Sequence, residues 1–463
     1  MLTYEEAKKL DLEKIARIHM IGINTPFSSF CARKLISLGK NVTASEIDQD
    51  HPSANAWIDE GILFPGGHNE KFITNDIDLV IYPNGPIPDN PECKKTENLG
   101  IPAITNSMCT GVVTRELKTI AIIGTHGKTT TTALVAWVMG ELGEVPNYIL
   151  DQGILNVPEV IKNWNVNPNS QWFVVEACEY KNQFLGRASS PLISVVTHIG
   201  LDHTDFFPTQ EQYNLAFENF LLNTKATIVA DLESNNEKMV LERVQKSKPE
   251  LKVINVADSR QDLLPIESPL IGKFNQENLI RAVLACECEE VGLKRDQLLK
   301  KVKTFPGVAV RFQHVGEMTS GAEVFLDYAH NPEKVRAMLD GAREAYPNHK
   351  IILVLQPHTH ERAHTFRLEF ANAIKNANAV IVPNIFTHRR ESEEVKKLIS
   401  AEQFSELLKE KNPKIDVRFM DGFEATASFL KKQETNEKTL VILASAGDLY
   451  KMVPLIVKPT VKA

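Results

Sequence analysis

A seven-residue segment, Gly124-Thr125-His126-Gly127-Lys128-Thr129-Thr130, constrains the fold of this chain more than any other feature. It follows the apolar run Ile120–Ile123 and precedes Ala133–Met139, whose composition is typical of a helix. A buried strand, a glycine turn and a helix N-terminus form a cradle for phosphate, because backbone N–H groups and the charge of Lys128 converge on the anion. The segment predicts a loop that binds ATP or a similar nucleotide, with Thr129 placed to ligate Mg²⁺. A strand–turn–helix corner that binds nothing is the alternative.

The length and composition indicate a soluble protein with several domains. At 463 residues the chain exceeds what one hydrophobic core supports, and about three domains are expected. A hydrophobic content of 43% and a charged content of 24% are typical of globular proteins. The net charge of −7 gives no reason to expect nucleic acid or a membrane surface as a partner.

The sequence predicts a cytoplasmic location. The segment 1–14 is charged and lacks the apolar core of a signal peptide, and no apolar run reaches the length of a bilayer span. Six cysteines are scattered without the spacing of a zinc site, which favours reduced thiols.

Short β-rich runs alternate with helical periodicity along the whole chain, which predicts an α/β fold of parallel sheets covered by helices. The series of strands restarts near residues 116 and 308, so we expect domains over 1–116, 117–308 and 309–463. The predicted strands are Ile18–Ile21, Val42–Ser45, Leu79–Tyr82, Ile120–Ile123, Trp172–Val175, Ile193–Val196, Thr227–Ala230, Val324–Leu326, Ile351–Leu355, Val380–Val382 and Leu440–Leu443. Predicted helices include Ser29–Leu38, Glu211–Leu222 and Leu279–Val291.

Two further polar groups follow predicted strands of the middle domain. Glu176 comes directly after Trp172–Val175, and Asp202-His203 follows the strand that ends at Thr197. The carboxyl ends of parallel strands share one edge of a sheet, so these side chains are expected near the phosphate loop. A carboxylate and an imidazole at that position would suit a Mg²⁺ ion that neutralises phosphate charge. Taken singly, each residue has an ordinary structural alternative at a strand end or in a turn.

An ordered series of motifs resembles the Mur ligases, and it runs from about residue 120 to residue 450. The N-terminal part matches through shorter segments. The matching motifs are Gly124–Thr130, Glu176–Tyr180, Asp202-His203, Gly272–Asn278, Asp327–Pro332, Gln356-Pro357-His358 with Arg362, and Ala446-Gly447-Asp448. The N-terminal matches are Ser45-Glu46, Gly67-His68 and Asp89–Glu92.

The resemblance implies three domains: an N-terminal Rossmann-like domain for a UDP-sugar, a central P-loop ATPase-type sheet, and a C-terminal Rossmann-like domain. It implies an ATP-dependent ligase that joins L-alanine to UDP-N-acetylmuramate in peptidoglycan precursor synthesis. The substrate carboxylate would attack the γ-phosphate to give an acyl phosphate, and the amine of alanine would then displace phosphate. The expected assembly is a monomer or a dimer.

The resemblance also assigns roles to individual residues. The implied catalytic residues are Lys128, Glu176, His203, His330, His358 and Arg362. ATP would contact Gly124, Thr125, His126, Gly127, Lys128, Thr129, Thr130, Asn275, Asn278, Arg311 and Asp327. The UDP-sugar and alanine would contact Glu46, His68, His358 and Arg362. Apart from the resemblance, the side chains of Asn24 and Ser28 could donate to the diphosphate of the sugar nucleotide. Metal ligation would involve Thr129, Glu176 and His203, and we add Glu218 as a further candidate.

The assignment of Glu218 rests on a departure from the family. Several Mur ligases carry a carbamylated lysine fifteen residues after the histidine of Asp-His, where this chain has Glu218. We hypothesise that Glu218 supplies a carboxylate for the second Mg²⁺ without modification. The alternative is a solvated residue on the helix Glu211–Leu222.

Two other departures concern the substrates. Alanine-adding members show two histidines before the proline, whereas this chain has His330-Asn331-Pro332. The turn at Gly22 has one glycine, and Pro26 has no N–H to donate to phosphate. A related ligase that recycles murein tripeptide, and a nucleotide-binding homologue without catalysis, therefore remain as alternatives.

Overall fold

The computed structural model describes residues 1–51, 53–84, 89–157, 162–182, 190–203, 206–387, 391–433 and 435–458. It contains two compact units, the first made of residues 1–269 and 276–306 and the second of residues 270–275 and 307–463. Along these described ranges, no helix combines the length and apolar character that crossing a membrane requires. The chain is an α/β protein in which most paired strands are parallel.

The first unit begins with a small parallel sheet. Its strands are β1 (Arg17–Ile21), β2 (Asn41–Ser45), β3 (Leu79–Tyr82) and β4 (Ala103–Thr105), and its helices are α1 (Tyr4–Lys8), α2 (Pro26–Ser37), α3 (Ala54–Asp59), α4 (Pro91–Asn98) and α5 (Asn106–Val113). The strand order is β2-β1-β3-β4, and each pair is parallel.

A larger sheet follows in the same unit. Its strands are β5 (Lys118–Ile123), β6 (Asn147–Ile149), β7 (Trp164–Asn165), β8 (Trp172–Glu176), β9 (Ile193–Val196), β10 (Thr227–Ala230) and β11 (Lys252–Asn255). The helices are α6 (Lys128–Glu141), α7 (Gln210–Leu221), α8 (Asn235–Ser247), α9 (Val256–Leu263), α10 (Lys273–Glu287) and α11 (Arg295–Val302). The start of α10, up to Asn275, is counted with the second unit. The order β11-β10-β9-β5-β8-β6-β7 places β5 centrally, and β7 alone among these strands pairs antiparallel.

The two sheets of the first unit share one hydrophobic core. Phe30 on α2 stacks on Phe173 of β8 with ring centroids 5.2 Å apart, and both rings are buried. Trp57 of α3 and Trp164 of β7 stack in the same way at 6.3 Å. Because apolar side chains from both sheets exclude water together, the two sheets belong to one compact unit, residues 1–269 and 276–306, with a common core. The domain boundary near residue 116 therefore lies inside this unit.

The second unit is built on one six-stranded sheet. Its strands are β12 (Gln313–Glu317), β13 (Glu323–Asp327), β14 (Lys350–Leu355), β15 (Ala379–Val382), β16 (Asp416–Phe419) and β17 (Thr439–Ala444). Its helices are α12 (Pro332–Ala345), α13 (His360–Thr365), α14 (Arg367–Ala373), α15 (Glu393–Lys396), α16 (Ala401–Lys411), α17 (Gly422–Lys432) and α18 (Val453–Ile456). The order is β12-β13-β17-β14-β15-β16, with only the β12–β13 pair antiparallel among these strands.

Local sequence explains why α12 begins where it does. The side chain of Asn331 accepts a hydrogen bond from the backbone N–H of Lys334, and Pro332 occupies the first turn, where its missing N–H costs nothing. Val335, Leu339 and other apolar residues recur at helical spacing and are buried. The helix therefore packs one face on the sheet and starts directly after the residues that follow β13.

Candidate active site

The phosphate loop (residues 124–130) runs from the end of the central strand β5 into the first turn of α6. Gly124 and Gly127 have φ values of +136° and +82°, which favour glycine. A Cβ on Gly124 would lie 2.2 Å from Oγ1 of Thr197 and 2.8 Å from the carbonyl oxygen of His198. The backbone N–H of Thr125 donates to that same carbonyl over 2.7 Å. Glycine is therefore required because the loop passes directly against the segment after β9.

Replacement of Gly124 by alanine is expected to destabilise the protein by at least about 3 kcal/mol, since backbone atoms of His198 cannot move away from the new Cβ. The melting temperature measures this loss. Gly143→Ala is the matched control, because Gly143 also has a positive φ of +95° but has nothing within 4 Å of an added Cβ. Equal losses in the two variants would show that backbone strain, and not close packing, determines the glycine.

Lys128 does not extend away from the loop but lies back across it. Its Nζ donates to the carbonyl oxygens of Gly124 and Thr125, and it lies 2.9 Å from Oε2 of Glu179. Burial lowers the pKa of the ammonium, but the nearby carboxylate of Glu179 outweighs this effect and raises that pKa above its usual value. Lys128 is therefore held as a buried cation at the mouth of α6.

Glu179 connects the lysine to the predicted histidine. Its Oε1 atom accepts a hydrogen bond of 3.1 Å from the hydroxyl of Tyr213 and lies 3.4 Å from Nε2 of His203. The side chain is 1% exposed. Burial raises the pKa of the carboxyl, whereas Lys128 and the His203 hydrogen bond lower it, with a net result of about 2. Glu179 belongs to the motif Glu176–Tyr180 but had no predicted role. The available signal was a second glutamate three residues after Glu176.

The Lys128–Glu179 pair predicts a measurable coupling of stability. Glu179→Gln alone leaves a buried ammonium without its partner and is expected to cost about 3 kcal/mol. Adding Lys128→Met to that variant should recover part of the loss, since it removes the uncompensated charge. Melting temperatures of the two single variants and the double variant give the coupling energy. Strictly additive losses would contradict the pairing.

The same pair sets a direction for the acid dependence of stability. The pKa of Glu179 in the folded protein, about 2, lies below its ordinary value of 4.5. Its contribution is therefore complete above pH 4.5 and is lost as the pH falls toward 2.

Thr129 and Glu176 form the part of the site that fits a divalent cation. The hydroxyl of Thr129 donates to Oε1 of Glu176 over 3.0 Å, and the N–H of Asp151 donates to Oε2 over 2.9 Å. Carboxylate and hydroxyl oxygens are ligands that Mg²⁺ prefers, and Mg²⁺ usually completes its shell with phosphate oxygens and water. Within the described ranges, no three His, Cys, Asp or Glu side chains form a metal-binding group. The residues present fit an ion bound together with a phosphate ligand.

Glu218 lies in a different environment from the predicted metal ligands. Its carboxylate is 3.4 Å from the guanidinium of Arg243 on α8. Tyr213, which contacts Glu179, lies five residues earlier on the same helix, and five residues turn an α-helix by roughly 140° beyond a full turn. The structure thus places Glu218 on another face of α7. This placement disfavours the hypothesis that Glu218 supports the second metal. With 18% of its side chain exposed, Glu218 is a partly buried partner of Arg243 and not the solvated residue of the alternative.

The other predicted ATP contacts of the first unit belong to the phosphate loop or lie against it. Asn278 is buried, and its amide oxygen lies 2.3 Å from the position of a Cβ on Gly127, so the side chain covers the loop from one side. His126 stacks on His198 with ring centroids 6.3 Å apart. Thr130 is buried in the first turn of α6. The structure thus brings Asn278 against the phosphate loop, as the role of an ATP contact requires.

In the second unit, three predicted residues lie together beyond the carboxyl ends of β13 and β14. The rings of His330 and His358 have centroids 6.0 Å apart, and Arg362 lies in the first turns of α13, near enough to act electrostatically on His330. Burial, together with Lys334 and Arg362, lowers the pKa of His330 well below its ordinary value of 6.5. His330 is therefore neutral at physiological pH.

The protonation pattern of His330 follows from its neighbour. Its Nδ1 lies 2.8 Å from the carbonyl oxygen of Tyr328. A carbonyl only accepts hydrogen bonds, so Nδ1 carries the proton and Nε2 carries the lone pair. Neutral His330 can therefore accept one proton at Nε2.

Asp327 and Arg311, predicted for ATP, are next to each other in this unit. The carboxylate of Asp327 accepts hydrogen bonds from the N–H groups of Phe312 and Ala329, over 2.7 and 2.8 Å. Burial raises the pKa of Asp327, and Arg311 opposes that shift. The guanidinium of Arg311 lies 4.8 Å from the ring centre of Tyr328. Asp327 thus fixes the loop that carries Arg311.

The remaining motifs of the second unit have structural partners. Gln356 is buried, and its amide nitrogen donates to Asn384 over 2.8 Å and to Asp448 over 2.9 Å. Two motifs distant in sequence, one at 356–358 and one at 446–448, therefore meet at adjacent strand ends. Asn275 is buried, and its amide donates to the carbonyl of Ile271 over 2.7 Å.

The predicted substrate residues near Gly22 bind one another. Glu46 accepts hydrogen bonds from the N–H groups of Ile23 at 3.1 Å and Asn24 at 3.3 Å, and its other oxygen accepts the N–H of Ile47 at 2.9 Å. The amide of Asn24 donates to the carbonyl of Asp48 over 2.6 Å. Glu46 therefore occupies the backbone donors that a phosphate-binding turn would offer.

Two other predicted substrate residues are placed differently. Ser28 is buried in the first turn of α2, where its hydroxyl lies 2.7 Å from that of Thr25 and accepts the amide of Asn106 over 2.8 Å. His68 is 10% exposed and lies beside the end of β2, 2.8 Å from Oγ of Ser45. Ser28 thus stabilises the helix start, whereas the side chain of His68 stays partly exposed at the end of β2.

Comparison with known proteins agrees with this architecture. The profile of the Mur ligase middle domain matches residues 122–262, and that of the Mur ligase glutamate ligase domain matches residues 310–448. The UDP-N-acetylmuramate–L-alanine ligase of Lachnospira eligens is 30% identical over 470 residues, which cover 96% of this chain and 98% of the relative. The ligase of the same name from Acetivibrio thermocellus is 29% identical and covers 98% of each chain.

Solved structures show the same fold. The UDP-N-acetylmuramate–alanine ligase MurC of Thermotoga maritima has a TM-score of 0.72 at 23% identity, covering 95% of this chain and 97% of that chain. The murein peptide ligase of Psychrobacter arcticus has a TM-score of 0.63 at 17% identity, covering 96% and 100%. The alignments to such relatives cover nearly the whole chain, and two domain profiles of one family match it, so the chain belongs to the Mur ligase family.

Proposed function

We propose that this enzyme joins L-alanine to UDP-N-acetylmuramate in an ATP-dependent reaction of peptidoglycan precursor synthesis. The observation that carries the proposal is the group formed by Lys128, Glu179 and His203, with Thr129 and Glu176 beside it, at the mouth of α6. Relatives at 29–30% identity over nearly the whole chain carry this activity in their names. The reaction fits a cytoplasmic enzyme acting on soluble precursors.

We assign the three predicted segments to three tasks. Residues 1–116, which carry the first sheet, would hold the UDP-sugar. Residues 117–308, with the phosphate loop, would hold ATP, and residues 309–463 would supply Arg311, Asp327, Arg362 and the two histidines, His330 and His358. The support is that each segment contains one sheet of its own.

ATP and Mg²⁺ fit the residues of the phosphate loop. The two glycines with positive φ, the buried ammonium of Lys128 and the adjacent oxygens of Thr129 and Glu176 provide donors for phosphate and ligands for an ion. When bound, the ion would neutralise the negative charge of the triphosphate as the substrate carboxylate approaches. The ammonium of Lys128 would neutralise part of the same negative charge. His203 would lie close to Lys128, because both residues contact the carboxylate of Glu179.

His330 is proposed to accept a proton from the amine of alanine. As the amine nitrogen bonds to the acyl phosphate carbon, phosphate leaves and the nitrogen must lose a proton. The lone pair on Nε2 of neutral His330 provides the acceptor, because Nδ1 is committed to the carbonyl of Tyr328. Arg362 and His358, which lie near His330, would hold the carboxylate of alanine, since a guanidinium binds carboxylate through two parallel hydrogen bonds.

Asn331 has a structural role that does not depend on which amino acid or peptide the enzyme adds. Its side chain caps α12 through the N–H of Lys334, over 2.9 Å, and asparagine is among the best residues for that position. The departure from two histidines therefore gives no support to a different amino acid or peptide as acceptor.

The experiment is an acceptor panel with purified protein, ATP and Mg²⁺. We expect phosphate release only when UDP-N-acetylmuramate and L-alanine are both present, and a product whose mass equals their sum less water. Activity with murein tripeptide in place of alanine would identify the recycling ligase instead. Phosphate release that ignores both substrates, or none under any condition, would contradict the proposal.

A further inference from the structure

A buried polar cluster lies in the first sheet, apart from the phosphate loop. We call His19, Thr43, Ser45, His68 and Glu92 the Glu92 cluster. Glu92 and His19 are fully buried, and His68 is 10% exposed. The cluster begins at Thr43 inside β2 and reaches Ser45 at its carboxyl end, the edge of a parallel sheet where ligands bind.

Glu92 is the centre of this cluster. Its Oε2 accepts the hydroxyl proton of Ser45 over 2.6 Å and lies 3.5 Å from Nε2 of His19. Its Oε1 accepts the backbone N–H of Asn69 over 2.8 Å. The residue is the second of α4, where the helix dipole favours a carboxylate. Glu92 therefore fixes both the end of β2 and the loop that carries His68.

The donor and the acceptor can be assigned in the two hydrogen bonds that join His68, Ser45 and Glu92. A carboxylate has no proton to give, so the single hydroxyl proton of Ser45 goes to Glu92. Ser45 must then accept from Nδ1 of His68, which lies 2.8 Å from its oxygen. This arrangement leaves Nε2 of His68 as the ring atom that meets a ligand. A hydrogen bond from this atom to a phosphate oxygen would need a proton on Nε2 as well, and the carboxylate of Glu92, 3.7 Å from Nδ1, would offset the resulting positive charge.

The turn at Gly22 has fewer free backbone donors than a phosphate would need, which is why a side-chain donor such as His68 is required at this edge of the sheet. The N–H groups of Ile23 and Asn24 already donate to Glu46, so two backbone donors of that turn are occupied. His68, at the same edge of the sheet beside Ser45, supplies a side-chain donor.

We propose that Ser45 and Glu92 are positioning residues that orient His68 toward the diphosphate of the UDP-sugar. His68 makes the contact, and the other two residues fix the position of its ring. His19, with Nδ1 2.9 Å from Oγ1 of Thr43, closes the buried side of Glu92. The inference rests on the proposed function, because it takes UDP-N-acetylmuramate as the ligand.

Direct binding measured by calorimetry tests the inference without ATP or alanine. We expect Glu92→Gln and Ser45→Ala to weaken binding of UDP-N-acetylmuramate and of UDP by about tenfold, the loss of one charge-assisted hydrogen bond. Binding of uridine, which has no phosphate, should be unchanged. Ser45→Thr, which keeps a hydroxyl, should retain the wild-type affinity. Glu97→Gln is the matched control, because Glu97 is an exposed carboxylate on the same helix.

Steady-state kinetics adds a second readout. In the same variants, KM for UDP-N-acetylmuramate should rise about tenfold while KM for ATP and kcat stay at wild-type values. In His68→Gln, addition of Glu92→Gln should weaken binding no further, since Glu92 acts through His68.

The outcomes separate the two proposals. Wild-type protein that fails to bind UDP-N-acetylmuramate would overturn the proposed function. Normal wild-type binding with unchanged Ser45→Ala and Glu92→Gln affinities would overturn this inference alone. Equal weakening of UDP and uridine would also overturn it, because the cluster would then only maintain the fold. If Glu92→Gln does not fold, Ser45→Ala provides the test of the inference, because it removes only one hydroxyl group.

Discussion

Lys128→Ala is expected to reduce kcat for ligation by about 1,000-fold or more, because it removes the cation that would stabilise the transferring phosphoryl group. The buried position of its Nζ, 2.9 Å from Glu179 and against the loop carbonyls, places this charge at the mouth of α6. Product formation measured by mass spectrometry, with saturating substrates, gives the rate.

Two controls separate a loss of chemistry from a loss of folding. Lys118→Ala removes an exposed lysine at the start of β5, the end of that strand away from the phosphate loop. This variant should keep nearly full activity. Lys128→Met combined with Glu179→Gln removes the unpaired carboxylate and should fold but remain inactive. Turnover by Lys128→Ala close to that of the wild type would refute the assignment of this loop.

His330→Ala is expected to lower kcat by about 100-fold, the usual contribution of a positioned general base. Its Nδ1 is committed to the carbonyl of Tyr328, and its lowered pKa keeps Nε2 available to accept a proton down to mildly acidic pH. The kcat–pH profile of the wild type should therefore show no loss due to His330 until well below pH 6.5.

A second nucleophile makes this prediction specific. Hydroxylamine is mostly unprotonated at neutral pH and reacts with acyl phosphates without a base, so the variant should retain hydroxamate formation while it loses alanine ligation. His314→Ala, at an exposed histidine of β12, is the control and should leave both activities intact. Equal loss of both reactions in His330→Ala would exclude the role of a base.

The central strands could be predicted because parallel strands covered on both faces are continuous apolar runs. Leu79–Tyr82, Ile193–Val196 and Thr227–Ala230 have the predicted bounds. The first long helix begins at Pro26, three residues before its predicted start, because Thr25 caps it and proline suits its first turn. Edge strands such as Gln313–Glu317 were missed, since their half-exposed polar residues carry no apolar pattern.

The site was only partly predictable for a related reason. Strand ends and glycines identified Lys128 and Glu176, which the structure places around one loop. Which carboxylate pairs with which cation depends on contacts between distant segments. Glu179 therefore gained a role that its motif did not reveal, and Glu46 proved to bind the backbone of its own turn. Glu218 pairs with Arg243, which lies on the neighbouring helix.

The contact between Lys128 and Glu179 has a consequence for how nucleotide affinity responds to ionic strength. A bare ammonium would capture a triphosphate with the full gain of attraction between opposite charges. Here the ammonium already has an anionic partner in the protein, so an arriving phosphate would replace a carboxylate oxygen as its hydrogen-bond acceptor. The net change in local charge interaction is smaller, and added salt should weaken ATP affinity less than it does at loops whose lysine is solvated.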